Sequence, residues 1–176
     1  EPFLCGIGRY ASWECESDPQ EIKSVLHGKN DWKGSSLKDL EGQDFKMTFD
    51  ALMTEEGLEI NLSVVSDSDS LIGLDYSYHL CDGKGSLVSD VHKNYEVHNK
   101  ENTIPSDWNY KNQQVDYDLS QDADFFFHPY LNPLSGNILL KTKTHNVRTI
   151  YNCVNEQNCW HLFHQKGSSS VRLSPI

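Results

Sequence analysis

Aromatic rings and hydrogen-bonding side chains recur together along this chain. Trp13, Trp108, Trp160, Tyr76, Tyr78, Phe127 and Tyr130 supply the rings, and Asp75, Asp124, Asn132 and Asn158 supply carboxylates and amides. That pairing is the chemistry of sugar recognition: a pyranose offers an apolar C–H face that stacks on a ring, and hydroxyls that need directional polar partners. The same rings also suit the interior of a β-sheet protein, where Phe and Tyr on strands pack together. One stretch limits that alternative. In Phe125-Phe-Phe127, followed by His128-Pro-Tyr130, three successive aromatics on a strand cannot share one face, so at least one must turn toward solvent or a ligand.

Other chemistries find less support. The eight histidines, among them His79, His92, His98, His128, His161 and His164, show no helix-borne pair or facial-triad spacing, so no metal site is expected. Cys5 has no nucleophile motif around it, and Ser168-Ser-Ser170 lacks the Gly-x-Ser-x-Gly turn. The five cysteines are odd in number and contain no Cys-x-x-Cys pair, which fits reduced thiols in a cytosolic protein. No cofactor is indicated.

A formal net charge of -11 argues against nucleic acid and anionic membrane surfaces, because phosphate binding relies on clustered Lys and Arg. No apolar run approaches the ~20 residues needed to span a bilayer, and no charged-then-apolar signal segment opens the chain. The expected location is cytoplasmic. Glu1-Pro2 is an unusual natural start, consistent with residues having been removed upstream.

The elements that must position these residues read as strands. Phe45, Met47, Phe49 and Ala51 alternate with polar residues, as do Leu58, Ile60, Leu62 and Val64; Thr54 to Gly57 joins them into a hairpin with one buried and one wet face. Further β-rich runs cover 71–80, 85–91, 136–143, 146–151, 160–164 and 169–173. So many short strands predict an all-β antiparallel sandwich or barrel. Asp18 to Gly28 carries an N-cap candidate, Pro19, Glu21 and a terminal Gly, the signals of a two-turn helix, while Ile22, Val25 and Leu26 equally suit an edge strand. Asp31 to Gly42 reads as a loop holding a helical turn at Ser36 to Leu40, and Asn94 to Gln114 as a long polar connection. No repeat or linker divides the chain, so residues 1–176 are expected to form one domain.

Four segments together resemble the galactose mutarotase-like superfamily, in particular its aldose 1-epimerase and hexose-phosphate mutarotase branch. They are Ser66 to Tyr78, Asp124 with Phe127 after it, Asn158-Cys-Trp-His-Leu-Phe-His164 with Lys166-Gly167, and Val171-Arg-Leu-Ser-Pro175. The resemblance covers nearly the whole chain and is strongest from Phe45 onward. It implies an antiparallel supersandwich that binds an aldose in an open cleft and interconverts its α and β anomers, with a base and an acid on opposite sides of one sugar.

At the positions the resemblance assigns to that machinery, this chain differs. Ser174 stands where the family has its basic Glu, Asp75 where it has its acidic His, and Cys5 before Gly6 and Arg9 where a second His precedes Gly. Asp124 matches the carboxylate that binds sugar hydroxyls, and Arg9, Trp13 and Trp160 are the remaining implied contacts. The expectation is a non-catalytic or weakly active relative that recognises a hexose or hexose phosphate. Two alternatives stay open: an active epimerase with relocated acid and base (Asp75 with His79 or His128), and a protein-interaction module. Strands that precede the His-Gly segment in the family are missing here, which predicts an open sheet edge covered by a protein partner, a second copy in a homodimer or a remodelled loop.

Overall fold

A computed structural model describes residues 6–70, 73–154 and 158–176. Cys5 and the start of the β-rich run at 71–80 lie outside the described residues. The chain forms two compact units, Glu1–Ile72 and Gly73–Ile176.

In the first unit a 3-10 turn at Ile7–Arg9 precedes β1 (Glu14–Ser17), β2 (Glu21–His27), β3 (Asp31–Trp32), β4 (Ser35–Ser36), α1 (Leu37–Glu41), β5 (Phe45–Met53) and β6 (Leu58–Ser66). Four of these build an antiparallel sheet in the order β1-β2-β5-β6. The segment open to a helix or an edge strand is β2, and it is an inner strand, hydrogen-bonded on both sides. The capping residue serves a turn instead. Asp18 Oδ1 accepts from the backbone N–H groups of Gln20 and Glu21 at 2.8 and 2.9 Å. These bonds hold its carboxyl below the usual range. Two flanking strands then supply more backbone partners than two isolated helical turns could.

The short helix lies one residue beyond its predicted start. Ser36 caps α1 by accepting from the Asp39 N–H, and Gly42 ends it at φ 76 with its N–H on the Lys38 carbonyl. Ile7, Leu26, Leu37 and Phe45 form the core of this unit. In the β5–β6 hairpin Met47 faces Val64, Phe49 faces Leu62 and Ala51 faces Ile60. On that face Phe45 is fully buried, these six residues are half-buried, and Met53 and Leu58 at the turn end are exposed.

The second unit contains β7 (Tyr76–His79), β8 (Ser86–Val97), β9 (Lys100–Thr103), β10 (Asn109–Lys111), β11 (Gln114–Asp118), β12 (Ala123–Pro129), β13 (Ser135–Lys141), β14 (Asn146–Asn152), β15 (Trp160–His164) and β16 (Ser170–Pro175). The long strand β8 ties two arrays together. Its first half pairs with β11 and β13, and its second half with β12 and β9. From β12 the second array continues through β15 and β16 to β7. The inner faces of both arrays meet in one core, where Leu87, Val115 and Ile138 join Phe127, Trp160, Leu162 and Leu173.

The Asn94 to Gln114 segment corrects the sequence reading. Rather than a loop, it completes β8, turns at His98 and Asn99, both at positive φ, and returns as β9. Trp108 from the same segment packs against Tyr95, Tyr117 and Phe125. Polar residues hid this ribbon because its outward side is wet. The antiparallel all-β architecture is otherwise as expected, and among the described residues no helix is long and apolar enough to cross a membrane.

Candidate functional site

Side chains directly opposed in an antiparallel pair share a face, so the registers of β12, β15 and β16 define what the outer side of the second array presents. Asp124 opposes Phe163, which opposes Arg172; Phe126 opposes His161, which opposes Ser174. Glu96 on β8 opposes Phe126. The alternate residues Phe125, Phe127, Trp160, Leu162 and Leu173 fall on the core side. Thus Phe126 is the ring of the Phe125-Phe-Phe127 run that turns away from the core.

Polar contacts knit this outer face. His161 Nε2 lies 2.7 Å from Asp124 Oδ1, and the imidazole stacks on Phe126 with centroids 4.3 Å apart and planes 10° from parallel. His128 Nε2 lies 3.0 Å from Glu96 Oε1. The Ser174 hydroxyl donates to Asp75 Oδ1 at 2.6 Å, and Arg172 Nη1 stands 3.6 Å from Asp75 Oδ2 while its guanidinium covers the Phe163 ring at 4.5 Å. Asp75 precedes β7 but stays in register because the Leu74 N–H bonds the Pro175 carbonyl. Asp75 and Asp124 therefore bracket a floor of His161, Phe163, Arg172 and Ser174.

Three of the sequence-derived site residues, Asp75, Asp124 and Ser174, meet on this face. Trp160 does not: only 1% of it is exposed, and its indole packs on Phe127 with centroids 4.9 Å apart. Strand parity is the reason, since Trp160 is one residue from His161 and points the opposite way. It is a core residue. Arg9 and Trp13 belong to the first unit. Arg9 ends the 3-10 turn in an exposed position, whereas the half-buried Trp13 donates from Nε1 to the Gly8 carbonyl at 2.8 Å and packs against the core of that unit.

Phe126, His161, Phe163 and Arg172 were not among the expected site residues. The signal for them was present as alternation through Asp124 to His128, Trp160 to His164 and Val171 to Pro175, which assigns each second residue to one face once a single member is placed. Among the described residues no cluster of His, Cys, Asp and Glu could hold a metal ion.

The architecture has solved counterparts. A galactose mutarotase-like protein from Lactobacillus casei superposes with a TM-score of 0.66 at 10% identity over 97% of this chain. A galactose mutarotase related enzyme from Lactobacillus acidophilus gives 0.64 at 16% identity over 97%. A galactose mutarotase-like protein from Clostridium acetobutylicum gives 0.52 at 11% over 94%. The chain therefore has the galactose mutarotase-like β-sandwich fold. It spans 62%, 60% and 56% of the lengths of those three chains. No family model matches the sequence, and no curated protein does.

Proposed function

We propose that this chain is a carbohydrate-recognising protein on a galactose mutarotase-like fold, binding a hexose or hexose phosphate with little or no epimerase activity. The observation that carries this reading is the outer face itself, where stacked rings and fixed carboxylates alternate. Phe126, stacked on His161, offers apolar surface, and Asp124, Asp75 and Arg172, the last lying over Phe163, offer acceptors and donors for hydroxyl groups. Ser174, in the place the resemblance gives to the basic Glu, donates a hydrogen bond to Asp75 and has no carboxylate with which to take a proton.

Isothermal titration against hexoses and hexose phosphates tests the reading. Binding that weakens about 10-fold or more on Phe126→Ala or Asp124→Ala supports it; no heat with any sugar overturns it. The His161–Asp124 pair favours a second reading, a relocated proton-transfer group in a working epimerase, since a carboxylate-oriented imidazole is a common acid–base device. Polarimetry on fresh α-D-glucose and α-D-galactose separates the two. A rate above buffer that falls with His161→Gln selects the enzyme, and a rate equal to buffer rejects it.

A further inference from the structure

We propose that β6 is a self-pairing sheet edge that joins two copies of this chain through the first unit. Strand β6 pairs along its whole length with β5, residue for residue from Phe45 with Ser66 to Met53 with Leu58, without a bulge. Among the described residues nothing pairs with its other side. Every second residue there directs an N–H and a C=O outward, a template for another strand.

Sheet edges that stay single carry protection: short length, charge, Pro or a bulge. The opposite edge, β1, has four residues, two of them Glu14 and Glu16. In the second unit β7, β9 and β10 are also short, with four, four and three residues, and the longer β14 carries Arg148 next to its centre. By contrast β6, Leu58-Glu-Ile-Asn-Leu-Ser-Val-Val-Ser66, is long, has no Lys or Pro, and carries Glu59 as its single charge.

Its sequence also fits itself. Antiparallel pairing of outward-facing backbone groups requires residues of the same parity to oppose each other. The register that engages the full strand puts the two-fold axis at Leu62. Leu62 then meets Leu62 of the second copy, Ile60 meets Val64, Asn61 meets Ser63 and Glu59 meets Val65. No like charges oppose, and the half-buried strip of Met47, Phe49, Ala51, Ile60, Leu62 and Val64 runs unbroken from one copy into the next. Because each copy contributes the same strand, the contact is isologous and closes at two.

The test uses the full chain. Sedimentation velocity from low micromolar to near-millimolar concentration is expected to show a monomer–dimer equilibrium. Asn61→Lys with Ser63→Lys, both at exposed positions, sets lysines opposite each other and is expected to weaken the dimer at least 10-fold without altering the circular dichroism spectrum. In a background with the exposed Cys15 and Cys81 changed to Ser, Leu62→Cys is expected to form a disulfide-linked dimer on mild oxidation, and Asn61→Cys is not. A monomer at every concentration, a dimer indifferent to the double lysine variant, faster crosslinking at 61 than at 62, or capture of a different protein on β6 in place of a second copy each overturns the proposal.

Discussion

At the residue scale the outer face depends on which groups hold protons and which accept hydrogen bonds. Placing a carboxylate at position 174 alone is expected to be harmful. Ser174 is 9% exposed and its oxygen lies 2.6 Å from Asp75, so Ser174→Glu opposes two carboxylates and lowers stability by about 1–3 kcal/mol. Adding Asp75→His should recover most of that loss, which paired thermal melts of the single and double variants will register. A second prediction concerns alkali. Tyr117 is raised to about 12, first by burial and then by Asp122 and Asp118, and burial raises Tyr76, Tyr95, Tyr110 and Tyr151 in the same direction. Each holds its proton more tightly folded than unfolded, so their contribution is complete below pH 10 and is lost as pH rises from there toward 12. Urea melts across that range should show the fall, and Tyr117→Phe should make it shallower.

At the element scale the hairpin of β5 and β6 was legible, because strict alternation with a Gly-containing turn leaves little choice. The ring that leaves the core in the Phe125-Phe-Phe127 run was also legible as a necessity, though not which of the three. Asp18 to Gly28 was not, since identical capping residues serve a helix start or an Asx turn and only the neighbouring strands decide. The misassignment of Trp160 has a similar cause: residue type suggested a sugar platform, but parity within β15 was fixed by pairing with β12. Packing between elements gives a further prediction at Gly136, which opposes Tyr151 in the β13–β14 pair. A Cβ on Gly136 would come within 2.2 Å of the Tyr151 ring, so the ring lies across the glycine and covers it. Gly136→Ala is expected to cost about 1–3 kcal/mol, and far less in a Tyr151→Ala background; a double-mutant cycle measured by denaturant melts checks the coupling.

At the scale of the whole molecule, the net charge of -11 sets how copies approach one another. Two such chains repel until salt screens them, with a Debye length falling from about 30 Å at 0.01 M to about 10 Å at 0.1 M. Self-association through β6 is therefore expected to tighten on adding sodium chloride, which sedimentation equilibrium at two ionic strengths would measure. The proposed binding of a neutral hexose on the second unit, made by stacking and short hydrogen bonds, should change far less over the same range.

The placing of the tryptophans determines how the proposed binding can be observed. Trp160 is sealed in the core of the second unit and Trp108 packs against it, while Trp13 and Trp32 pack in the first unit. None is carried on the outer face of β12, β15 and β16. Indole emission will accordingly follow unfolding and stay nearly silent as ligand arrives, so a flat fluorescence titration says nothing about affinity. The spectroscopic reporters are the imidazoles of His161 and His128, whose ring protons in nuclear magnetic resonance sit where a sugar would land.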